Sequence, residues 1–268
     1  MEKYLAVNLK KIDRIIGEYL ARNRTPVRAK LQKYFAGGGR LRPRIVLAAG
    51  QLVGAKQNDL NKLAASLEML HTATLIHDDL IDGARKRRGR KTLHTTSAAN
   101  VAVLGGDYLL AGSLSLAASL GKAQIVAIVA DALARLCEGE IAETFGRADY
   151  YRNIADKTGV LFEAACTLAC AAAGAGRQET RALKNFGLKF GTAYQMADDA
   201  ADLREDLRQG VITLAVRKYL AGNKTGAVAE TLQAARQLAA SAAEELKSFS
   251  ASPAREHLRS LAGGIGLL

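Results

Sequence analysis

Apolar positions along this chain recur with a helical period, and strand-like alternation is scarce. From Arg44 to Ser252 no proline interrupts the pattern, and alanine and leucine are abundant. Long helices with short connections follow. Glycines mark the expected breaks at 37–39, Gly54, Gly89, Gly121, Gly146, 174–176, Gly210 and Gly222. Between them the pattern predicts helices near 2–22, 26–36, 43–54, 57–84, 98–120, 122–146, 153–174, 178–208, 211–221, 224–249 and 253–262. Asn58-Asp59-Leu60 and Arg177-Gln178-Glu179-Thr180 have the polar character of helix starts. No linker or low-complexity segment divides the chain, so one all-α domain over 1–268 is the economical expectation. Within 122–174 the helices are apolar nearly all round, as in Ile125-Val126-Ala127-Ile128-Val129-Ala130. Such a helix is either central or covered by a second subunit, and a homodimer is the expected form of the second case.

Composition adds exclusions. Of 268 residues, 49% are hydrophobic and 24% charged, which rules out wholesale disorder. No uninterrupted apolar run reaches the roughly 18 residues of a membrane span. Charges throughout the first turns leave no apolar signal core, and the expected location is cytoplasmic. Cys137, Cys166 and Cys170 are an odd, sparse set that argues against a disulfide framework. Cys166 and Cys170 have no His or Cys cluster nearby and read as small buried apolar residues.

Charge is uneven. The net is +12, with twelve Lys/Arg against three Asp/Glu over residues 1–44 and a further +6 over 85–91. The remainder is slightly acidic, which points to local anion binding. Nucleic acid, a membrane surface, a phosphorylated small molecule and a merely solvated basic loop all fit that much. Aromatics are only 5% and no nucleic-acid motif accompanies the basic run, which disfavours nucleic acid.

The strongest chemistry lies in His77-Asp78-Asp79-Leu80-Ile81-Asp82. On a helix Asp78 and Asp82 share a face and repel each other, with Asp79 beside them. Carboxylates crowded among Leu75, Ile76, Leu80 and Ile81 need a cation. Oxygen ligands point to Mg²⁺, which bridges to substrate phosphates. The pattern recurs in Gln195-Met196-Ala197-Asp198-Asp199-Ala200-Ala201-Asp202. Two helices facing each other would give a polycarboxylate site, and the basic run directly after Asp82 suits a metal-bridged diphosphate.

With these motifs on view, the chain resembles the polyprenyl (trans-isoprenyl) diphosphate synthases over nearly its whole length. His71 to Asp82 with Arg87-Arg88-Gly89 is similar to the first aspartate-rich motif and its arginine pair, and Gly191 to Asp202 to the second. Gly37-Gly38-Gly39-Arg40-Leu41-Arg42-Pro43, Ala102 to Leu109, Gly139-Glu140, Lys157-Thr158 and 210–214 follow in the family's order. The resemblance implies an all-α fold of roughly a dozen helices around a deep central cavity, usually dimeric. It implies addition of isopentenyl diphosphate, head to tail, to an allylic diphosphate. It puts Asp78, Asp79, Asp82, Asp198, Asp199, Asp202 and Lys157 in the catalytic set, with Mg²⁺ on Asp78, Asp82 and Asp198. It assigns Arg87 to the allylic diphosphate, and Arg42, His71 and Arg88 to isopentenyl diphosphate. Lys157, Thr158 and Gln195 would face the allylic diphosphate or the nascent cation. A transient membrane-surface contact for product release and no nucleic-acid partner complete the expectation.

The departures matter as much. The family lysine after the glycine pair is Gly39 here, so Arg40 or another cation is expected to substitute. Only Leu203 to Gln209 separates Asp202 from Gly210, where the family has a longer lysine-bearing loop. Val211 and Ala215 replace a lysine and a proline around Thr213. On the first aspartate helix Ala73 and Thr74 are small where a bulky aromatic floors the cavity in the family's short-chain members, and Leu70 lies deeper. A product longer than fifteen carbons is expected. Three other readings stay open: a class I terpene cyclase, disfavoured by a second motif made of aspartates; a weakly active or non-catalytic subunit of a heteromeric synthase; and a nucleic-acid binder using Arg85 to Lys91.

Overall fold

Close helix approach through small residues shapes this chain, as seen in a computed structural model that describes residues 1–22, 24, 26–145 and 149–266. The helices are α1 (Glu2–Leu20), α2 (Val27–Tyr34), α3 (Leu41–Leu52) and α4 (Gln57–Ile81). A two-stranded ribbon follows, β1 (Lys86–Arg87) and β2 (Arg90–Lys91). Then come α5 (Leu93–Thr96), α6 (Ala99–Ala118), α7 (Ala123–Thr144) and α8 (Tyr150–Ile154). A π-helical turn, Ala155–Gly159, leads into α9 (Val160–Ala173) and α10 (Arg177–Ala201). The chain finishes with α11 (Leu203–Gln209), α12 (Leu214–Leu220), α13 (Ala227–Glu245) and α14 (Pro253–Gly263). The all-α expectation holds. Two compact units result, one of Met1–Leu47 with Lys56–Ala130 and one of Ala48–Ala55 with Asp131–Leu268.

In the first unit α1 is amphipathic, and Leu5, Ile12, Ile16 and Leu20 bury one stripe. The centre is α4, where Leu60, Leu63, Ala64, Leu67, Met69, Leu70, Ala73 and Ile76 are buried. It packs on α6, whose glycines let the helices approach. A Cβ at Gly112 would lie 2.2 Å from Met69 Cε, and one at Gly106 would lie 2.1 Å from His77 Nε2. Ser66 Oγ donates to the Ser113 carbonyl at 2.8 Å in the same seam. Each glycine in a helix costs about 1 kcal/mol of propensity, which the tighter packing offsets.

The outer face of α6 stays apolar, with Val103 42% and Leu104 64% exposed. With Asp107 as its one charge, α6 is by length and composition able to cross a membrane, although 39% of its apolar window is buried. A search for uninterrupted apolar runs misses it because Asp107 divides the run.

In the second unit α9 is buried along most of its length, from Val160 to Cys170, so its all-round apolarity marks a central helix. Cys166 and Cys170 are buried there as free thiols. The neighbouring α10 brings Phe186 and Phe190 against α9, with the Phe162 and Phe190 rings edge to face at 5.2 Å. Gly187 and Gly191 make the crossing possible by facing Phe162.

The boundaries differ from expectation at three places. The helix expected at 153–174 divides into α8, the π turn and α9, and the one expected at 178–208 ends at Ala201 with α11 following. The segment between 84 and 98 forms the ribbon and α5. The break expected at Gly146 lies outside the described residues.

A Cβ at Gly187 would sit 2.3 Å from the Phe162 carbonyl oxygen. Backbone cannot yield as a flexible side chain does. Gly187→Ala is therefore expected to destabilise the protein by about 1–3 kcal/mol, despite the roughly 1 kcal/mol that alanine gains in a helix. The urea midpoint measures this, and an unchanged midpoint would contradict the tight crossing.

Candidate active site

Both aspartate triplets stand at a helix C-terminus. Asp78 and Asp79 lie in the last turn of α4 and Asp82 is its C-cap. Asp198 and Asp199 lie in the last turn of α10 and Asp202 is its C-cap. A helix C-terminus is the negative end of the dipole, so carboxylates there are opposed by the backbone as well as by each other.

Each unit relieves the middle carboxylate in the same way. Asp79, 1% exposed, accepts a charge-assisted bond from Arg87 Nε at 2.7 Å and a weaker one from the Tyr34 hydroxyl at 3.2 Å. The Tyr34 oxygen also accepts from the Leu93 amide at 2.8 Å. Burial, with Asp79 beside it, pushes the Tyr34 phenol up to about 12. In the second unit buried Asp199 accepts from the Tyr150 hydroxyl at 2.7 Å and from Gln195 Nε2 at 2.8 Å. Gln195 Oε1 takes the Thr158 hydroxyl at 2.8 Å, so Thr158, Gln195, Asp199 and Tyr150 form one chain. Burial raises the Asp199 carboxyl, with its two hydrogen bonds opposing, and burial followed by Asp199 raises the Tyr150 phenol.

The outer aspartates keep more contact with solvent. Asp78 is half-buried, and Asp82, Asp198 and Asp202 are exposed. Although exposed at its tip, Asp198 is raised by partial desolvation, then by Asp202 and Asp199. A cation would relieve that strain, and the all-oxygen donor set suits a hard divalent ion. Among the described residues no three His, Cys, Asp or Glu side chains converge as a finished cage. An ion that takes further ligands from water and substrate phosphate matches such a partial donor set. Asp206 extends the spacing of Asp198 and Asp202 by another four residues. Burial, with Asp199 and Asp202 nearby, pushes it up to about 6, and it accepts from the Thr213 hydroxyl at 3.3 Å.

The π turn carries Lys157 and Thr158. Such a turn re-aims side chains and is frequent at functional sites. Lys157 Nζ lies 2.7 Å from Glu140 and 2.5 Å from Glu143. Burial works to lower its ammonium, and these two carboxylates more than offset that, so it is raised. Lys157 is thus cationic and steered by a carboxylate pair from α7.

The residues of the first unit expected to bind anions gather around the glycine loop. Arg42 Nη1 lies 3.0 Å from His71 Nε2. Desolvation, then Arg42, Arg88 and Arg87, hold the His71 imidazole well below its usual value. It is neutral near pH 7 and accepts from Arg42. Arg88 lies over the glycine loop, and a Cβ at Gly38 would be 2.9 Å from its Nη1. Arg88 (φ 49°) and Gly89 (φ 74°) close the β1–β2 ribbon as a two-residue turn. Arg87 and Arg88 line a cavity of about 690 Å³ together with Leu75.

Arg40 is occupied elsewhere. Its guanidinium holds Asp13 at 2.7 Å, Glu68 at 2.9 Å and the Phe35 carbonyl at 2.7 Å. These contacts pin the glycine loop instead of offering a spare cation for the side chain lacking at Gly39. On α4, Ala73 and Leu70 are buried in the core, whereas Thr74 is half-buried, lies on the Asp78 face and donates to the His71 carbonyl at 2.9 Å.

Sequence reasoning missed Tyr34, Tyr150 and Asp206. The tyrosines act 45 and 49 residues away in the chain, so local spacing gives no sign of them. Asp206 did carry a signal in its four-residue spacing.

A lowered histidine value has a definite linkage sign. The unfolded chain takes up a proton near pH 6.5 that folded His71 refuses, so its contribution is full above that pH and is lost as pH falls below about 6.5. Urea titrations of the native chain from pH 7.5 downward should lose stability more steeply than those of His71→Gln. Parallel curves would contradict a neutral His71.

Residues 25–248 match the polyprenyl synthetase family. The chain is 35% identical over 199 residues to heptaprenyl diphosphate synthase component 2 of Bacillus subtilis, covering 68% of this chain and 57% of that one. It is 34% identical over 180 residues to octaprenyl diphosphate synthase of Escherichia coli, covering 65% and 56%. The chain thus spans a little over half the length of these two relatives. Among solved structures, polyprenyl synthase from Caulobacter crescentus CB15, complexed with calcium and isoprenyl diphosphate, superposes with a TM-score of 0.90 at 28% identity, covering 98% of this chain and 96% of that one. Matched across most of its length and carrying both aspartate triplets in the family's order, the chain belongs to the polyprenyl synthetase family.

Proposed function

We propose that the chain adds isopentenyl diphosphate head to tail to an allylic diphosphate, releasing diphosphate and making a medium- or long-chain polyprenyl diphosphate. The observation that carries this reading is the repeated device at the ends of α4 and α10, where a buried middle aspartate is fixed by a tyrosine and the outer two keep contact with solvent. In this reading Asp78, Asp82 and Asp198 would hold Mg²⁺, which when bound would draw charge from the allylic diphosphate. Arg87 and Lys157 bind that diphosphate, while Arg42, neutral His71 and Arg88 bind isopentenyl diphosphate. The allylic C–O bond breaks and its electron pair leaves with diphosphate. The alkene of isopentenyl diphosphate then forms the new C–C bond, and its surplus proton passes to the departing diphosphate. Thr158 and Gln195 present oxygen dipoles from a fixed chain, which stabilises developing positive charge without reorganisation.

The exposed apolar face of α6, with Leu104 at its centre, suits a second copy, so a homodimer is proposed, with the chain working in the cytoplasm. A second reading is a subunit of a heteromeric synthase. It is favoured by the absent side chain at Gly39 and the short segment after Asp202, and the Bacillus relative is itself named as one component.

Labelled isopentenyl diphosphate with dimethylallyl, geranyl, farnesyl or geranylgeranyl diphosphate and Mg²⁺ tests the activity. A discrete product longer than fifteen carbons is expected, falling by about 10³-fold or more in Asp78→Ala. No product from any starter with a folded chain would favour the heteromer. Ala73→Phe should shorten the product, with a melting curve to confirm that the buried position accepts the ring. An unchanged product ladder from a folded variant would reject Ala73 as a length determinant.

A further inference from the structure

The cavity beside Arg87 and Arg88 holds more positive charge than the proposed diphosphate contacts use. Lys33 from α2 and Arg90 and Lys91 from β2 line it, above a floor that includes Leu75, Tyr34 and Leu93. Among the described residues that line this cavity none is a carboxylate. The two segments that wall it are free of acid, with no Asp or Glu between Glu18 and Asp59 or between Asp82 and Asp107.

The ribbon is built against its own electrostatics. Lys86 faces Lys91 and Arg87 faces Arg90 across the two strands. Like charges directly opposite destabilise a ladder. Arg88 also occupies the left-handed region at φ 49°, which costs a non-glycine residue about 1 kcal/mol or more. The ion pair of Arg87 with Asp79 offsets part of this cost, and a polyanion in the cavity would offset the remainder.

The glycine loop itself has little cationic capacity to spare. Gly39 has no side chain to offer, and Arg40 is committed to Asp13, Glu68 and Phe35. Arg88 lies over Gly38 and lines the same cavity as Lys33, which sits on the last turn of the helix entering the loop. Arg90 donates to the Lys33 carbonyl at 3.2 Å, tying the ribbon to that helix end.

We propose that Lys33 and Lys91 supply the diphosphate contacts that Gly39 lacks, extending the isopentenyl diphosphate site along the α2–ribbon wall through Arg88, which belongs to both. The proposal rests on the prenyl-transfer reading above for the identity of the ligand. Lys33 and Lys91 are exposed and act as mobile ammonium groups that close on phosphate oxygens. Arg90 positions the wall through its bond to the Lys33 carbonyl.

The test uses the full chain as Lys33→Gln, Lys91→Gln, the double variant, and Lys11→Gln as an exposed charge control. First, the Kd of inorganic diphosphate is measured calorimetrically in chelator, which keeps the aspartate sites silent. Second, KM and kcat for isopentenyl diphosphate are measured at saturating allylic diphosphate. The double variant should weaken diphosphate binding and raise KM for isopentenyl diphosphate by about fivefold or more, the low end of a charge-assisted contact discounted for exposure. The allylic KM, kcat and the Lys11→Gln control should stay within about twofold, because the lost contact is uniform binding. A double variant that binds diphosphate as tightly as the native chain overturns the proposal, and so does a native chain that does not bind it. If the native chain binds diphosphate but elongates no starter, the function reading fails and the calorimetric comparison still decides the role of Lys33 and Lys91.

Discussion

Three carboxylates at the negative end of a helix are the constraint on which this structure turns. The arrangement occurs on α4 and again on α10, and the backbone dipole opposes it both times. The protein resolves part of the conflict internally. Arg87 and Tyr34 take Asp79, and Tyr150 and Gln195 take Asp199. What remains in each case is an outer pair that keeps more contact with solvent than the middle residue. The burial of the middle residue and the exposure of the outer two are therefore two sides of one solution.

Much of the supporting frame serves to hold those helix ends still. Glycines at 106, 112, 187 and 191 bring neighbouring helices into contact distances that any side chain would prevent. The π turn adds one residue of offset just where Lys157 and Thr158 are needed. Glu140 and Glu143 then fix the lysine, and Gln195 fixes the threonine. Rigid elements suit polar groups that must already be aimed when charge develops.

The aspartate triplets were legible in the sequence because their spacing is local and their charge is improbable beside Leu80 and Ile81. The helices were legible because their apolar period is long. What stayed hidden depends on partners far away in the chain. Tyr34 and Tyr150 look like any surface tyrosine until folding brings them to Asp79 and Asp199. The stop at Ala201 was invisible because Leu203 and Leu207 continue the apolar pattern across it. The ribbon has neither β-branched residues nor an Asn-Gly turn, so propensity gives no hint of strands. Arg40 carries a structural duty that its sequence context does not show. Its sequence context suggests a phosphate ligand, while Asp13 and Glu68 make it a structural clamp.

The like-charged ribbon has one further consequence. Repulsion between facing strands is screened by salt and cancelled by a bound anion, so ordering of the ribbon and occupancy of the cavity belong to a single equilibrium. The hairpin, already paired without a ligand, stores this repulsion, and an anion bound in the cavity would relieve it. If the cavity takes a diphosphate group as proposed, the concentration of such anions would set the stability of this part of the molecule even when no turnover takes place.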